Sequence, residues 1–234
     1  MDSERQCRTA KILGVAACEK LAASRVLLVG VGGVGGYAAE FLVRSGVGNI
    51  TFVDGDEVAL SNCNRQIVAL SSTLGQPKVD VIKTRALEIN PDGNFTALCR
   101  KLSVGDVREL FAQKFDLVID CIDDTPVKVA LIAQARENGL FVVSSMGAAG
   151  KFDPTQVEVA DIAKTHNCPL ARAVRRRLRE KGIFSGVSTV FSPETPAPRA
   201  AGDNGVPGSL SFVVSAFGGA VASCTLQKLL GARS

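Results

Sequence analysis

Three glycines and a carboxylate carry the first chemical signal in this chain. Gly30, Gly32 and Gly35 stand at the spacing G-x-G-x-x-G within VLLVGVGGVGGYAAE. Asp54 follows about twenty residues beyond the last of them. Glycines at that spacing permit a tight turn, close approach of the backbone to a phosphate, and close packing of a helix on the preceding strand. The helix N-terminus then offers unpaired N–H groups to an anion. A carboxylate ending the next strand accepts hydrogen bonds from ribose hydroxyls. Further along, Arg65 and Lys78 supply cations, and Asp120-Cys121-Ile122-Asp123-Asp124 supplies acids. A dinucleotide dehydrogenase is the commonest owner of the glycine motif but needs no such cluster. The combination places charged groups where a triphosphate and a metal would lie. Each feature also has a plainer reading. The glycines can serve a simple strand-to-helix turn, Arg65 and Lys78 can be surface charges, and Asp123 and Asp124 can cap the helix beginning near Pro126.

The elements that must position these residues follow from periodicity. Val26 to Val29 reads as a buried strand, Tyr37 to Ser45 as a helix, and Ile50 to Val53 as a second strand. Arg8 to Ala23 has helical spacing, with Ile12, Val15, Ala16 and Leu21 as its apolar stripe. Lys78 to Asn90 is a helix whose buried stripe is Val79, Ile82, Ala86 and Ile89, bounded by Pro77 and Pro91. Asn94 to Leu98, Phe115 to Asp120 and Leu140 to Ser144 are expected strands, with helices at Val104 to Phe111 and Pro126 to Asn138. This alternation predicts an α/β fold, a doubly wound, mainly parallel sheet of Rossmann type, with a smaller α+β C-terminal extension. The expected organisation is an N-terminal helical segment over 1–25, a nucleotide-binding domain over 26–150, and the extension over 151–234. Within the extension, Gln156 to Ala160 and Gly186 to Phe191 read as strands and Pro169 to Lys181 as a basic helix. Pro193 to Gly208 reads as a mobile Pro/Gly-rich loop, and Val213 to Leu230 as the closing helix.

Composition bounds the rest. With 234 residues and 46% hydrophobic content the chain can bury a full core. A net charge of +4 suits phosphate-bearing ligands without demonstrating nucleic-acid binding. Seven cysteines, none in a C-x-x-C pair, and a polar N-terminus argue for reduced thiols in the cytoplasm and against a paired-cysteine zinc site. Gly205 to Gln227 carries no charge, but its Gly, Ser and Ala content favours a buried or interfacial helix over a membrane span.

Residues 26 to 146 resemble the ubiquitin-activating-type adenylating superfamily, which includes the molybdopterin-synthase and thiamine-pathway adenylyltransferases. The resemblance rests on G-x-G-G-x-G, D-x-D at Asp54 and Asp56, S-N-x-x-R-Q from Ser61, Lys78, and D-x-x-D-D from Asp120. It implies ATP and Mg2+ as cofactors. Gly30, Gly32, Gly33 and Gly35 would then face the phosphates, and Asp54 the ribose. Ser61, Asn62, Cys63, Asn64 and Arg65 would form the loop beside the nucleotide. Lys78 would lie on the phosphates, Asp123 on magnesium, and Asp56 and Asp124 nearby. Adenylation requires a carboxylate to attack the α-phosphate, and cations such as Arg65 and Lys78 lower the barrier to bringing two anions together. The resemblance further implies a homodimer in which Arg8 enters the partner subunit's site.

The C-terminal third is similar to the tRNA threonylcarbamoyladenosine dehydratase branch of that superfamily. The similarity lies in Gly147-Ala148-Ala149-Gly150-Lys151-Phe152-Asp153-Pro154-Thr155-Gln156, in Val159 to Thr165, and in Val190-Phe191-Ser192-Pro193-Glu194. It implies ATP-dependent cyclisation of the modified nucleoside in ANN-decoding tRNA through a carboxyl-adenylate, releasing AMP and pyrophosphate. The alternative is activation of the C-terminal glycine of a ubiquitin-like sulfur carrier protein. A cysteine desulfurase or sulfur-acceptor partner belongs to the same set of expectations, although Gly208-Ser209-Leu210 stands where some members carry a cysteine. Arg172, Arg175, Arg176, Arg177, Arg179 and Lys181 would hold the tRNA backbone or form a solvated face.

Overall fold

Four consecutive buried apolar residues, Val26 to Val29, make the central strand of the protein. The computed structural model describes residues 4–197 and 208–231, so most of the expected Pro/Gly-rich loop lies outside the described residues. Among the described residues seven strands form one sheet: β1 (Arg25–Val29), β2 (Asn49–Asp54), β3 (Asn94–Cys99), β4 (Leu117–Asp120), β5 (Phe141–Ser145), β6 (Glu158–Asp161) and β7 (Ser188–Phe191). Their order is β3-β2-β1-β4-β5-β7-β6, parallel throughout except for β6, which runs antiparallel to β7. Chain order reverses between β1 and β4, and such a switch point opens a crevice at the strands' carboxyl ends.

Side chains alternate across β1, so Val26 and Leu28 enter one core and Leu27 and Val29 the other. The first core is covered by α2 (Val15–Ala23), α3 (Gly33–Arg44), α4 (Lys78–Ile89) and α8 (Ser211–Leu230). The second is covered by α5 (Val107–Leu110), α6 (Thr125–Glu137) and α7 (Pro169–Glu180). The stretch expected as the C-terminal extension adds β6 and β7 to this same sheet, and its closing helix lies along α3. Val213, Phe217 and Val221 of α8 are fully buried, each contributing about 1.5–3 kcal/mol. Gly218 permits that contact, since a Cβ there would stand 2.6 Å from the Tyr37 Cβ. By length and composition, α8 is the one helix among the described residues that could cross a membrane, yet half of it is buried inside the fold.

Two expectations are corrected. The N-terminal helix is broken into α1 (Cys7–Leu13) and α2 because Gly14 adopts φ +84°, outside the helical region. Only Leu21 of its expected stripe is buried; Ile12 and Val15 are 86% and 66% exposed. The helix after the glycine motif starts at Gly33 rather than Tyr37, so its first turn lies inside the motif itself.

Candidate active site at the carboxyl ends of the sheet

The glycine turn is built by steric exclusion. Gly30 leaves β1 with φ +88°, and its position places the Cys121 backbone only 2.8 Å from where a Cβ would stand. A Cβ on Gly35 would sit 1.8 Å from the Gly30 carbonyl oxygen, so helix α3 reaches the strand only because that atom is missing. Gly30 N–H donates to Val53 O (2.8 Å), and Val31 N–H donates to the Asp54 carboxylate (2.8 Å). Asp54 also accepts from the backbone of Asp56 (2.9 Å), so the carboxylate at the end of β2 braces the glycine turn. Its oxygens retain acceptor capacity for ribose hydroxyls.

A cavity of about 500 Å³ opens above this turn. Of the expected residues, Gly30, Gly32, Gly33, Asp54, Asp56, Asn62, Arg65, Lys78, Asp123 and Asp124 line it. Gly35 is buried against Gly30 rather than lining the cavity, and Ser61, Cys63 and Asn64 are exposed outside its wall, Ser61 and Asn64 bearing on it through Arg65. The Arg65 guanidinium donates to Ser61 O (3.0 Å) and Asn64 Oδ1 (2.9 Å), while Asn64 Nδ2 donates to Ser209 O (3.0 Å). That last bond ties the loop to the residues preceding α8. Arg8 is exposed on α1 and does not line the cavity of its own chain.

Lys78 begins α4, is buried, and places Nζ 2.8 Å from Asp56 Oδ2. Its backbone N–H donates to Asp56 O (3.0 Å), so the main chain and the side chain fix the same pair. The two acids after β4 have different work. Asp124 caps α6, accepting from Val127 N–H (3.0 Å). Asp123 is exposed at the cavity and makes no hydrogen bond or ion pair among the described residues. Burial and the neighbouring Asp120 push the Cys121 thiol up to about 12, so it stays protonated and is no nucleophile near neutral pH.

Several wall residues carry no local signal of their role. Arg100 and Lys101 enter because the end of β3 pairs with the end of β2, Arg100 N–H donating to Asp54 O (3.1 Å). Gly147, Ala148 and Ala149 follow β5, and Ser209 and Val214 come from the start of α8. Gln66, the last residue of the S-N-x-x-R-Q motif, is buried against the cavity with its Oε1 unpartnered. A buried acceptor or flipped amide of that kind is suited to a bound ligand.

A doubly wound sheet with a glycine turn, a terminal carboxylate and two cations, Arg65 and Lys78, in the cavity at its switch point defines a nucleotide-binding protein. More narrowly, the chain belongs to the ThiF family, whose family model matches residues 3–234. It is 46% identical over 184 residues to the tRNA threonylcarbamoyladenosine dehydratase of Bacillus subtilis, covering 79% of this chain and 72% of that one. It is 42% identical over 175 residues to the molybdopterin-synthase adenylyltransferase of Escherichia coli, covering 75% and 68%. The solved structure of the E. coli dehydratase in complex with ATP superposes with a TM-score of 0.91 at 36% identity, covering 98% of this chain and 95% of that one.

Proposed function

We propose that this protein catalyses the ATP-dependent dehydration of threonylcarbamoyladenosine in tRNA. The observation that carries the reading is the near-complete superposition on a dehydratase bound to ATP, supported by a cavity lined by the glycine turn, Asp54, Arg65, Lys78 and Asp123. A carboxylate oxygen of the modified nucleoside attacks the α-phosphorus, and the bond from that phosphorus to the bridging oxygen of pyrophosphate breaks. A nitrogen of the nucleoside's own urea group then attacks the activated carbonyl carbon and loses its proton as AMP leaves. The nucleoside loses one water in total, its oxygen carried off on AMP.

The roles assigned in this reading are supported by where the residues stand around the cavity. Backbone N–H groups of the glycine turn and the start of α3 hold the phosphates. Arg65 and Lys78 face the charge that develops at the α-phosphate and on leaving pyrophosphate. Asp54 holds the ribose. Magnesium would be held by Asp123 together with phosphate oxygens, where it supplies neutralising charge. One exposed carboxylate without a protein partner fits an ion bound mainly through substrate phosphates, and no all-protein cluster of metal-ligating residues exists among the described residues. These bond changes need no thiol, so a cysteine desulfurase or sulfur-acceptor partner is no part of this proposal.

The tRNA surface we assign is α7. Arg172, Arg176 and Arg179 are exposed and border an open depression of about 450 Å³, while Leu170 at the helix start lines the nucleotide cavity. Arg175 is excluded, because its guanidinium donates to Thr165 O (2.8 Å) and Thr165 Oγ1 (2.5 Å). A homodimer is part of the same reading, with Arg8 and the exposed Ile12 and Val15 at the contact and Arg8 serving the partner's cavity. The cytoplasm, where tRNA is met, is the compartment proposed.

The deciding experiment incubates the protein with ATP, magnesium and tRNA carrying threonylcarbamoyladenosine, followed by mild digestion and mass spectrometry. ATP-dependent loss of one water from that nucleoside is expected. An unchanged mass, with pyrophosphate exchange supported instead by a sulfur carrier protein, would transfer the assignment to the carrier.

A further inference from the structure

Lys128 and Asp120 form an ion pair, Nζ to Oδ2 2.9 Å, with both side chains 0% exposed. It lies directly beneath the loop that carries Asp123. Asp120 ends β4, and Lys128 lies in the first turns of α6, so the two residues bracket the loop 121–124. The Lys128 ammonium also donates to Ile122 O (2.8 Å), the carbonyl immediately before Asp123. The Asp120 carboxylate accepts from Ser144 Oγ (2.6 Å) and Ile122 N–H (3.3 Å). Ile122 is thus held at both its N–H and its C=O by one buried pair. The loop is registered against the glycine turn as well, through Cys121 N–H to Val29 O (2.8 Å) and the close seat of Cys121 on Gly30. Two charges removed from water are a poor source of stability compared with apolar packing of the same volume, so a role in fixing geometry is the better account of this pair.

We propose that Lys128 is a positioning residue for adenylation: through Asp120 and the Ile122 carbonyl it fixes where Asp123 stands relative to the phosphate-binding turn. This rests on the assignment of Asp123 to the reaction. Displacing a reacting group's partner by about 1 Å can cost on the order of 100-fold in rate. The Lys128 and Asp120 side chains bond each other, Ile122 and Ser144, and reach the glycine turn only through the loop between them.

The test replaces both charges, Lys128→Met with Asp120→Asn, so that no ion is left buried alone and Ser144 keeps a hydrogen-bond partner. Rates of AMP formation are measured with the substrate tRNA, alongside thermal melting, for this variant, for Asp123→Asn, and for the three substitutions combined. Expected is a kcat reduced about 10- to 100-fold with the KM for ATP changed less than about 3-fold. The combined variant should be no slower than Asp123→Asn alone, because the pair acts through that residue. Full kcat in the pair variant, when Asp123→Asn is inactive, overturns the positioning role and leaves the Asp123 assignment standing. Full activity of Asp123→Asn removes both. Multiplying losses in the combined variant also overturn it, since the pair would then act elsewhere. Should the pair variant fail to fold, Ser144→Ala, which removes one bond and no charge, enters the same cycle with the same criteria.

Discussion

The Lys78 ammonium and the Asp56 carboxylate stand 2.8 Å apart at the cavity wall, the lysine buried and the aspartate largely exposed. The aspartate therefore holds an ammonium whose stem is fixed by the start of α4, and in the proposed function a phosphate would meet a cation already in place. Lys78→Ala is expected to lower the rate of AMP formation by about 100- to 1,000-fold. Asp56→Asn, which loosens the lysine without removing it, should cost about 10-fold. Steady-state assays of both variants check the order; equal losses would place Asp56 on the reaction itself.

Within the glycine turn, two substitutions separate folding from binding. Gly35→Ala would put a methyl 1.8 Å from the Gly30 carbonyl oxygen, and only a backbone shift of β1 or α3 relieves it. Destabilisation above about 3 kcal/mol is expected. Gly33→Ala meets nothing closer than Val214 at 3.6 Å and should melt close to the parent. Thermal melts with and without ATP decide this: Gly35→Ala should lose both the fold and the ATP-induced stabilisation, Gly33→Ala at most the second.

Replacing Arg172, Arg176 and Arg179 together by Gln should weaken tRNA binding and reduce its salt slope by about 2 to 3, each phosphate contact contributing roughly 0.7 to 0.9. The KM for ATP should not move. Titrations of tRNA at several salt concentrations give the slope, and an unchanged slope would take α7 off the tRNA surface. Arg175→Gln should instead lower thermal stability, because it unties Thr165.

Mixing protomers tests the proposed dimer. Arg8→Ala and Lys78→Ala proteins are each expected to be inactive alone. If Arg8 acts in the partner's cavity, co-refolded mixtures regain activity in heterodimers that contain one cavity with both residues intact. Absence of recovery in a mixture shown by analytical ultracentrifugation to contain dimers would return Arg8 to its own chain.

Glu40 gives a pH signature of the fold rather than of the site. Burial opposes its ionisation, but the Arg85 and Arg44 guanidinium groups at 2.6 and 2.7 Å outweigh this and hold its pKa below the ordinary 4.5. A carboxyl whose folded pKa is depressed contributes its stability above the unfolded value and loses it as pH falls through the folded one. Both arginines are partly exposed, so screening limits the contribution to about 1–2 kcal/mol. Glu40→Gln should lower the melting temperature by about 3–6 °C at pH 7. The gap from the parent should close as pH falls below 4.5. A gap independent of pH would assign the loss to packing.

The sequence by itself determined the parts whose physics is local. A period of two or of 3.6 residues marks a strand or a helix face, and the G-x-G-x-x-G spacing demands a tight turn followed by a helix. Asp54 and Lys78 were legible because each ends or begins a regular element. Residue type and spacing left both Asp123 and Asp124 as possible caps of a Pro-led helix, and only the family resemblance set Asp123 apart; the tertiary contacts make Asp124 the cap, while both acids line the cavity. The sequence also could not tell Arg175 from Arg172, Arg176 and Arg179, because helical spacing does not reveal that Thr165 folds back onto one of them. The antiparallel pairing of β6, the arrival of Arg100, Gly147 and Ser209 at one cavity, and the burial of Lys128 against Asp120 were all decided by the tertiary structure. Those relationships depend on which strands become neighbours and how far each charge is withdrawn from water, and the packing of the whole sheet sets both.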